Sequence, residues 1–175
     1  VADGALPHPE LVAAIPRLRR YARALTGEAT RADDLVQDTL ARAWEKRRLW
    51  QAGSDLRAWL FTVMHNVFVN QRAVARRDAR NVSLDDDGVG EVWQIAVRPG
   101  QQARVEFAET VEQMGRLPAE QREVLLLAAV EEMKYEEIAA VLDIPVGTVM
   151  SRLSRAREKL RRAAEGGVPA LRAVK

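Results

Sequence analysis

The residues with the clearest chemical use lie in the segment PAEQREVLLLAAVEEMKYEEIAAVLDIPVGTVMSRLSRAREKLRR, Pro118 to Arg162. Asp143-Ile144-Pro145 reads as a turn between a short helix over 135–142 and a longer helix starting near Val146. Val149, Leu153 and Ala156 repeat on the inward side of that helix, with Leu160 extending the stripe. This leaves Thr148, Met150, Ser151, Arg152, Ser154 and Arg155 outward. Hydroxyls and guanidinium groups near the start of such a helix can reach base edges in a major groove. Arg157, Lys159, Arg161 and Arg162 follow, and later positions of this kind meet phosphates. The chemistry implied is DNA recognition by a helix-turn-helix. A helical bundle whose tail is merely basic is the plainer alternative.

A second group of polar residues lies upstream. Asn66 and Asn70 are four apart and share one face of the helix implied by WLFTVMHNVFVNQ. Neither is a favoured helix-interior residue, and paired amides offer donors and acceptors suited to bases. Arg72, Arg76 and Arg80 stand at i, i+4 and i+8, with Arg77 beside them, a stripe suited to a phosphate backbone. A solubilising face is the alternative. A third group is acidic: Asp34 and Asp38 lie one turn apart near the start of RADDLVQDTLARAWEKRRLW, Arg31 to Trp50. They either complement the helix dipole or form a patch for a basic partner.

Bond-making chemistry finds no such grouping. No nucleophile elbow and no phosphate-binding glycine loop with its lysine is present. The chain has no cysteine and only His8 and His65 as histidines, so thiolate and His-rich metal sites are excluded. His65 reads as a surface or packing residue. We expect no catalytic residue, no metal and no cofactor.

The elements that must position these groups are all helical. Leu11, Ile15, Leu18, Tyr21, Ala22 and Leu25 form one amphipathic stripe, which Pro16 is expected to break or restart and Gly27 to end. Leu35, Val36, Leu40, Ala43 and Trp44 form the buried stripe of the next helix. QAGSDL is a loop in which Gly53 permits the turn and Ser54 or Asp55 caps the following helix. Trp59, Leu60, Val63, Met64, Val67 and Phe68 then present a broad apolar face. In the second half, residues 103–114 read as a helix with Val105, Ala108, Val111 and Met114 inward. Pro118 suits a first turn, and Val124, Leu125, Leu127 and Ala128 pack. Ile138, Ala139 and Leu142 face inward, and Ile144 plugs the turn. The expected fold is all-α: a domain over 9–80, a linker over 81–101 containing DDDG, GVG and Pro99-Gly100, and a second domain over 102–165.

Charge follows the same division. The formal net charge of +2 hides blocks of +5 over 1–80, −5 over 81–112, −3 over 113–142 and +5 over 143–175. A polyanion can touch both ends and is repelled from the middle. Linking two DNA-contacting domains raises the effective concentration of the second contact. No apolar run is long enough to cross a membrane, and the N-terminal residues lack a signal-peptide pattern, so a cytoplasmic protein is expected.

Taken together, DDLVQDTLARAWEK, SDLRAWLFTVMHNVFVNQ, LPAEQREVLLL and YEEIAAVLDIPVGTVMSRLSRAREKL resemble an extracytoplasmic-function (group 4) sigma factor of the bacterial sigma-70 family. The resemblance covers Ile15 to Ala163. It implies a protein that binds core RNA polymerase and directs it to particular promoters, with the polymerase doing the chemistry. Asp34, Leu35, Gln37 and Asp38 would dock on the polymerase clamp. The loop Trp50–Leu56, including Trp50 and Ser54, and the face of Asn66 and Asn70 would capture a flipped base at the −10 element. Arg72, Arg76 and Arg77 would hold the adjacent backbone. Thr148, Met150, Ser151, Arg152, Ser154 and Arg155 would read the −35 element. Met150 stands where many members carry Lys or Arg, and Ser154 where some carry an aromatic residue, so promoter preference departs from those members. MHNVFVNQ is similar to the alphaproteobacterial general-stress branch, which implies an anti-sigma partner. No membrane insertion and no dedicated homo-oligomer are expected. Two alternatives are an ordinary helix-turn-helix regulator and a sigma mimic that sequesters an anti-sigma factor.

Overall fold

Apolar residues at three- and four-residue spacing fold the chain into helices only, with no strand among the described residues. The computed structural model describes residues 8–82 and 113–166. The first half contains α1 (His8–Thr26), α2 (Ala29–Glu45), a 3-10 turn (Arg47–Leu49) and α3 (Leu56–Val82). The second half contains α4 (Ala119–Ala129), α5 (Tyr135–Leu142) and α6 (Val146–Gly166), preceded by helical residues 113–115. Most of the linker expected over 81–101 and of the helix expected over 103–114 lies outside the described residues.

Pro16 does not break α1, which is continuous through it. The i−4 carbonyl that a proline leaves without a donor belongs to Val12, and both residues are solvent-exposed. Water can satisfy that carbonyl, and Leu11, Leu18, Ala22 and Leu25 stay buried on the opposite side. Gly27 stops the helix at φ 76°, with its N–H donating to Arg23 O at 2.9 Å. α2 ends at Glu45, and Trp44, expected in the buried stripe, lies on the surface rather than in the core. The Arg47 guanidinium stacks 5.0 Å from the Trp44 ring centre, which shelters one face of the indole. Asp55 caps α3: its Oδ1 accepts the N–H groups of Arg57 at 2.8 Å and Ala58 at 3.2 Å.

In the first half, α1 and α3 enclose a core containing Leu18, Leu25, Leu60, Phe61 and Met64, with α2 packed on both helices. Tyr21 meets Phe61 edge to face, with ring centres 4.9 Å apart. Thr39 is buried without cost because its hydroxyl donates to Leu35 O at 2.7 Å. In the second half, α4 and α5 cradle α6 through Val124, Leu127, Ile138, Leu142, Val149 and Leu153. Asp143 takes the left-handed conformation at φ 51° and turns the chain from α5 into α6. Ile144, expected as a buried plug, is only half-buried.

The two halves also touch each other. α1 packs on α4 and α3 packs on α5, so the buried apolar residues of both halves form one continuous cluster.

Candidate nucleic-acid and polymerase interface

Burial of Val149, Leu153 and Ala156 sets the rotation of α6. It turns Met150, Ser151, Ser154 and Arg155 to solvent along one side, with Thr148 half-buried at the leading edge. Ser151 Oγ donates to Thr148 O at 3.1 Å, which leaves its lone pairs facing outward. Arg152 is half-buried and pairs with Glu120 of α4 at 3.3 Å. It is therefore held against its own domain, in contrast to Arg155. The basic tail is less naked than its composition suggests. Glu158 accepts from Arg161 at 2.9 Å and Arg162 at 2.7 Å, and Arg161 also reaches Glu165 at 2.6 Å. Those hydrogen bonds hold the Glu158 carboxyl below its ordinary pKa.

On α2, Asp34, Gln37 and Asp38 are exposed on one side. Gln71 of α3 donates to Asp38 Oδ2 at 2.8 Å and fixes that carboxylate. Leu35 is fully buried, so it belongs to the core rather than to a contact surface. Beside this acidic face, α2 and α3 leave an open groove of about 600 Å³ that includes Val67, Asn70, Val74 and Ala75.

On α3, Asn66 and Asn70 are both exposed. Asn66 Nδ2 donates to Thr62 O at 2.9 Å, which leaves its amide oxygen to accept. Arg76 and Arg77 are exposed further along, and the Arg72 guanidinium lies 5.6 Å from the Phe68 ring centre. The side chain of Arg80 lies outside the described residues. In the preceding loop Ser54 is exposed and donates to Gln51 O at 2.7 Å. Trp50 is buried, and its indole N–H has no hydrogen-bond partner. It shapes the floor of that loop and cannot contact a partner without moving.

Three polar contacts between the halves escaped the sequence reading. Arg122 of α4 is buried and donates to Leu25 O at 2.6 Å, across the domain boundary. It also donates to Met114 O, Gly115 O and Leu117 O at 3.0, 2.9 and 3.0 Å. His65 Nδ1 lies 2.7 Å from Glu123 Oε1, so this histidine is an interdomain contact. Glu131, between α4 and α5, is buried against Arg17 at 3.1 Å and Arg20 at 3.7 Å, with Arg57 donating to its backbone carbonyl at 3.1 Å. The Glu131 oxygens sit at ion-pair distance without well-directed hydrogen bonds.

Burial raises the Glu131 carboxyl above its ordinary pKa of 4.5, outweighing the lowering by Arg17, Arg20 and Arg57. A carboxyl with a raised folded-state pKa gives its full stabilisation below the ordinary value and loses it as pH rises through the raised one. Glu131→Gln is expected to remove that loss. Urea midpoints of the variant and the parent between about pH 4 and pH 7 should diverge in favour of the variant as pH rises. Parallel curves would contradict the assignment.

Family comparison agrees with this arrangement in both halves. Residues 11–65 match the model described as the Sigma2 domain of PhyR, and residues 108–160 match sigma-70 region 4. The ECF RNA polymerase sigma factor EcfG of Rhodopseudomonas palustris is 42% identical over 151 residues, covering 86% of this chain and 81% of that one. The chain belongs to the extracytoplasmic-function sigma factors. SigL of Mycobacterium tuberculosis, another such factor, is 37% identical over 82% of this chain and 80% of its own length. Among solved structures, the sigma factor RpoE of Bartonella quintana in complex with the anti-sigma factor NepR matches with a TM-score of 0.78 at 33% identity. That match covers 90% of this chain and 96% of RpoE. The sigma-2 match thus spans α1, α2 and the first part of α3, here called region 2, and the region 4 match spans α4, α5 and most of α6. No helix among the described residues is long and apolar enough to cross a membrane. No group of three or more potential metal ligands occurs among them.

Proposed function

We propose that this sigma factor divides promoter recognition between its halves as follows. Residues 9–80 bind core polymerase and the −10 element, 81–101 connect, and 102–165 bind the −35 element. The observation that carries this reading is the solvent-facing row Met150, Ser151, Ser154 and Arg155 on α6. It stands in a chain 42% identical to EcfG. Bases of the −35 element are read by that row, with Thr148 at its edge and Arg152 steadied by Glu120. Ser54, Asn66 and Asn70 take an unstacked base of the −10 element, whose extrusion costs a few kcal/mol that pocket contacts offset. Arg72, Arg76 and Arg77 hold its backbone. Asp34, Gln37 and Asp38 meet the polymerase, with Leu35 and Trp50 supporting these surfaces from beneath. The protein carries no catalytic activity of its own and works in the cytoplasm. An anti-sigma protein holds it silent, as the RpoE–NepR complex suggests by likeness.

Charge pairs at protein interfaces couple by about 1.5 kcal/mol or more. Asp34→Ala/Asp38→Ala is therefore expected to weaken core polymerase binding by at least roughly tenfold, as read by fluorescence anisotropy of the labelled factor. Its helical circular dichroism should not change. Unaltered affinity would remove α2 from the polymerase contact.

The match of residues 11–65 to a PhyR domain favours one other reading, the sigma mimic. A mimic would not bind a forked promoter fragment, and α3 and α6 present arginines that such a protein does not need.

A further inference from the structure

The contacts between region 2 and region 4 have a consequence for how this factor reaches DNA. The −10 and −35 elements are centred about 25 base pairs apart, which is roughly 85 Å of duplex at about 3.4 Å per step. A closed body of 175 residues has a radius of gyration of about 16 Å, hence a span of ~40 Å. With α1 against α4 and α3 against α5, the two DNA faces cannot occupy both elements at once. We infer that the structure is a closed resting state, latched by region 4 residue Glu131 in an arginine cleft of region 2, which must open before the promoter is engaged. This inference rests on the sigma-factor reading for the spacing argument, but the closure itself rests on geometry alone.

Glu131 lies on the connection from α4 to α5, and its side chain is fully buried, while its partners Arg17 and Arg20 remain about half-exposed. Glu132 beside it adopts φ 53°, a left-handed conformation uncommon outside glycine, and so helps to aim Glu131 into region 2. Arg57 donates to the Glu131 backbone carbonyl, and His65 of α3 meets Glu123 of α4 about two turns away. None of these side chains belongs to the faces assigned to polymerase or DNA. A carboxylate buried between domains has two useful properties. It rejects other registers, because it needs its cations nearby. It also keeps closure weak, because the desolvation cost of the ionised carboxyl outweighs its attraction to those cations. Interdomain contacts of this polar kind separate readily, which a factor that must open requires.

Arg17→Glu/Arg20→Glu tests the latch. These side chains are exposed enough that region 2 keeps its own core, yet Glu131 then faces two carboxylates. Because the chain has no cysteine, labels placed at Arg23→Cys and Ala164→Cys report one interdomain distance. Pulsed dipolar spectroscopy on the free protein should give one short distance. The double reversal should shift most of the population to longer, broader distances, and adding Glu131→Lys to it should restore the short one. Restoration cannot come from a misfolded chain. In the wild-type complex with core polymerase and a promoter fragment the distance should be long. A free protein already at the long distance, or a distribution indifferent to the charge reversal, would overturn the latch. A short, charge-sensitive distance in a protein that does not bind polymerase would keep the latch and sink the sigma-factor reading.

Discussion

Arg122→Ala is expected to cause the largest loss of stability of any single change considered for this protein. The guanidinium is buried and donates to four backbone carbonyls: Leu25, Met114, Gly115 and Leu117. Leu25 O belongs to the last turn of α1, where carbonyls lack intrahelical donors and the helix end is negative. Arg122 therefore caps a region 2 helix from region 4, while also fixing the turn that leads into α4. Hydrogen bonds from a charged donor contribute about 1.5–3 kcal/mol each, and an acceptor left buried without one costs about 1–3 kcal/mol. Even with partial rehydration, the substitution should lower unfolding free energy by at least about 3 kcal/mol in urea titration. Arg122→Lys should recover little, because an ammonium cannot serve acceptors spread around a planar fork. A loss below about 1 kcal/mol would show that water replaces the side chain and that the capping role is wrong.

The second large effect concerns Arg155. It is exposed on the row that α6 presents, whereas Arg152 is tied back to Glu120. A bidentate arginine–guanine contact carries about 1–3 kcal/mol of discrimination. Arg155→Ala is thus expected to reduce holoenzyme affinity for the cognate −35 element by roughly ten- to a hundredfold, and to flatten the preference at one base position. The parallel experiment is the salt dependence. If Arg155 instead neutralises a phosphate, the variant weakens all sequences alike and the slope of log K against log salt falls by about 0.9. Arg152→Ala should cost less than Arg155→Ala, since its first effect is to free Glu120. The reverse order would mean that Arg152 leaves Glu120 on binding and is the principal reader.

Both effects bear on what the amino-acid sequence reveals. Regular spacing exposed the helix-turn-helix, because Val149, Leu153 and Ala156 are all buried, and that rotation turns out four of the six expected positions, Met150, Ser151, Ser154 and Arg155, while Thr148 and Arg152 are half-buried. Turn chemistry exposed the stop at Gly27 and narrowed the α3 cap to Ser54 or Asp55, of which the structure uses Asp55. Spacing failed where a local rule met a solvent boundary. Pro16 is tolerated because the Val12 carbonyl it leaves unpaired faces water, and Trp44, though within α2, lies on the exposed side of that helix. The family pattern named Leu35 and Trp50 as contacts, although burial makes them supports.

The interdomain network was the least legible part, for a physical reason. Glu131, Glu123 and His65 acquire their partners only when residues more than fifty positions apart meet, and no periodicity encodes that. One signal was present: Arg122 lies one turn before Leu126, which is buried on the same face. A charged residue on an apolar stripe calls for partners, and here they are the carbonyls of another helix.

Transcription by purified core polymerase from a promoter library, with and without this protein, tests the central assignment most directly. The account predicts start sites that appear only when the protein is present and share −35 and −10 sequences at a fixed spacing. Their −35 dependence should fall in Arg155→Ala, and their number should fall in Asp34→Ala/Asp38→Ala. A folded, core-binding protein that yields no new start sites, or start sites indifferent to both sets of changes, would contradict it.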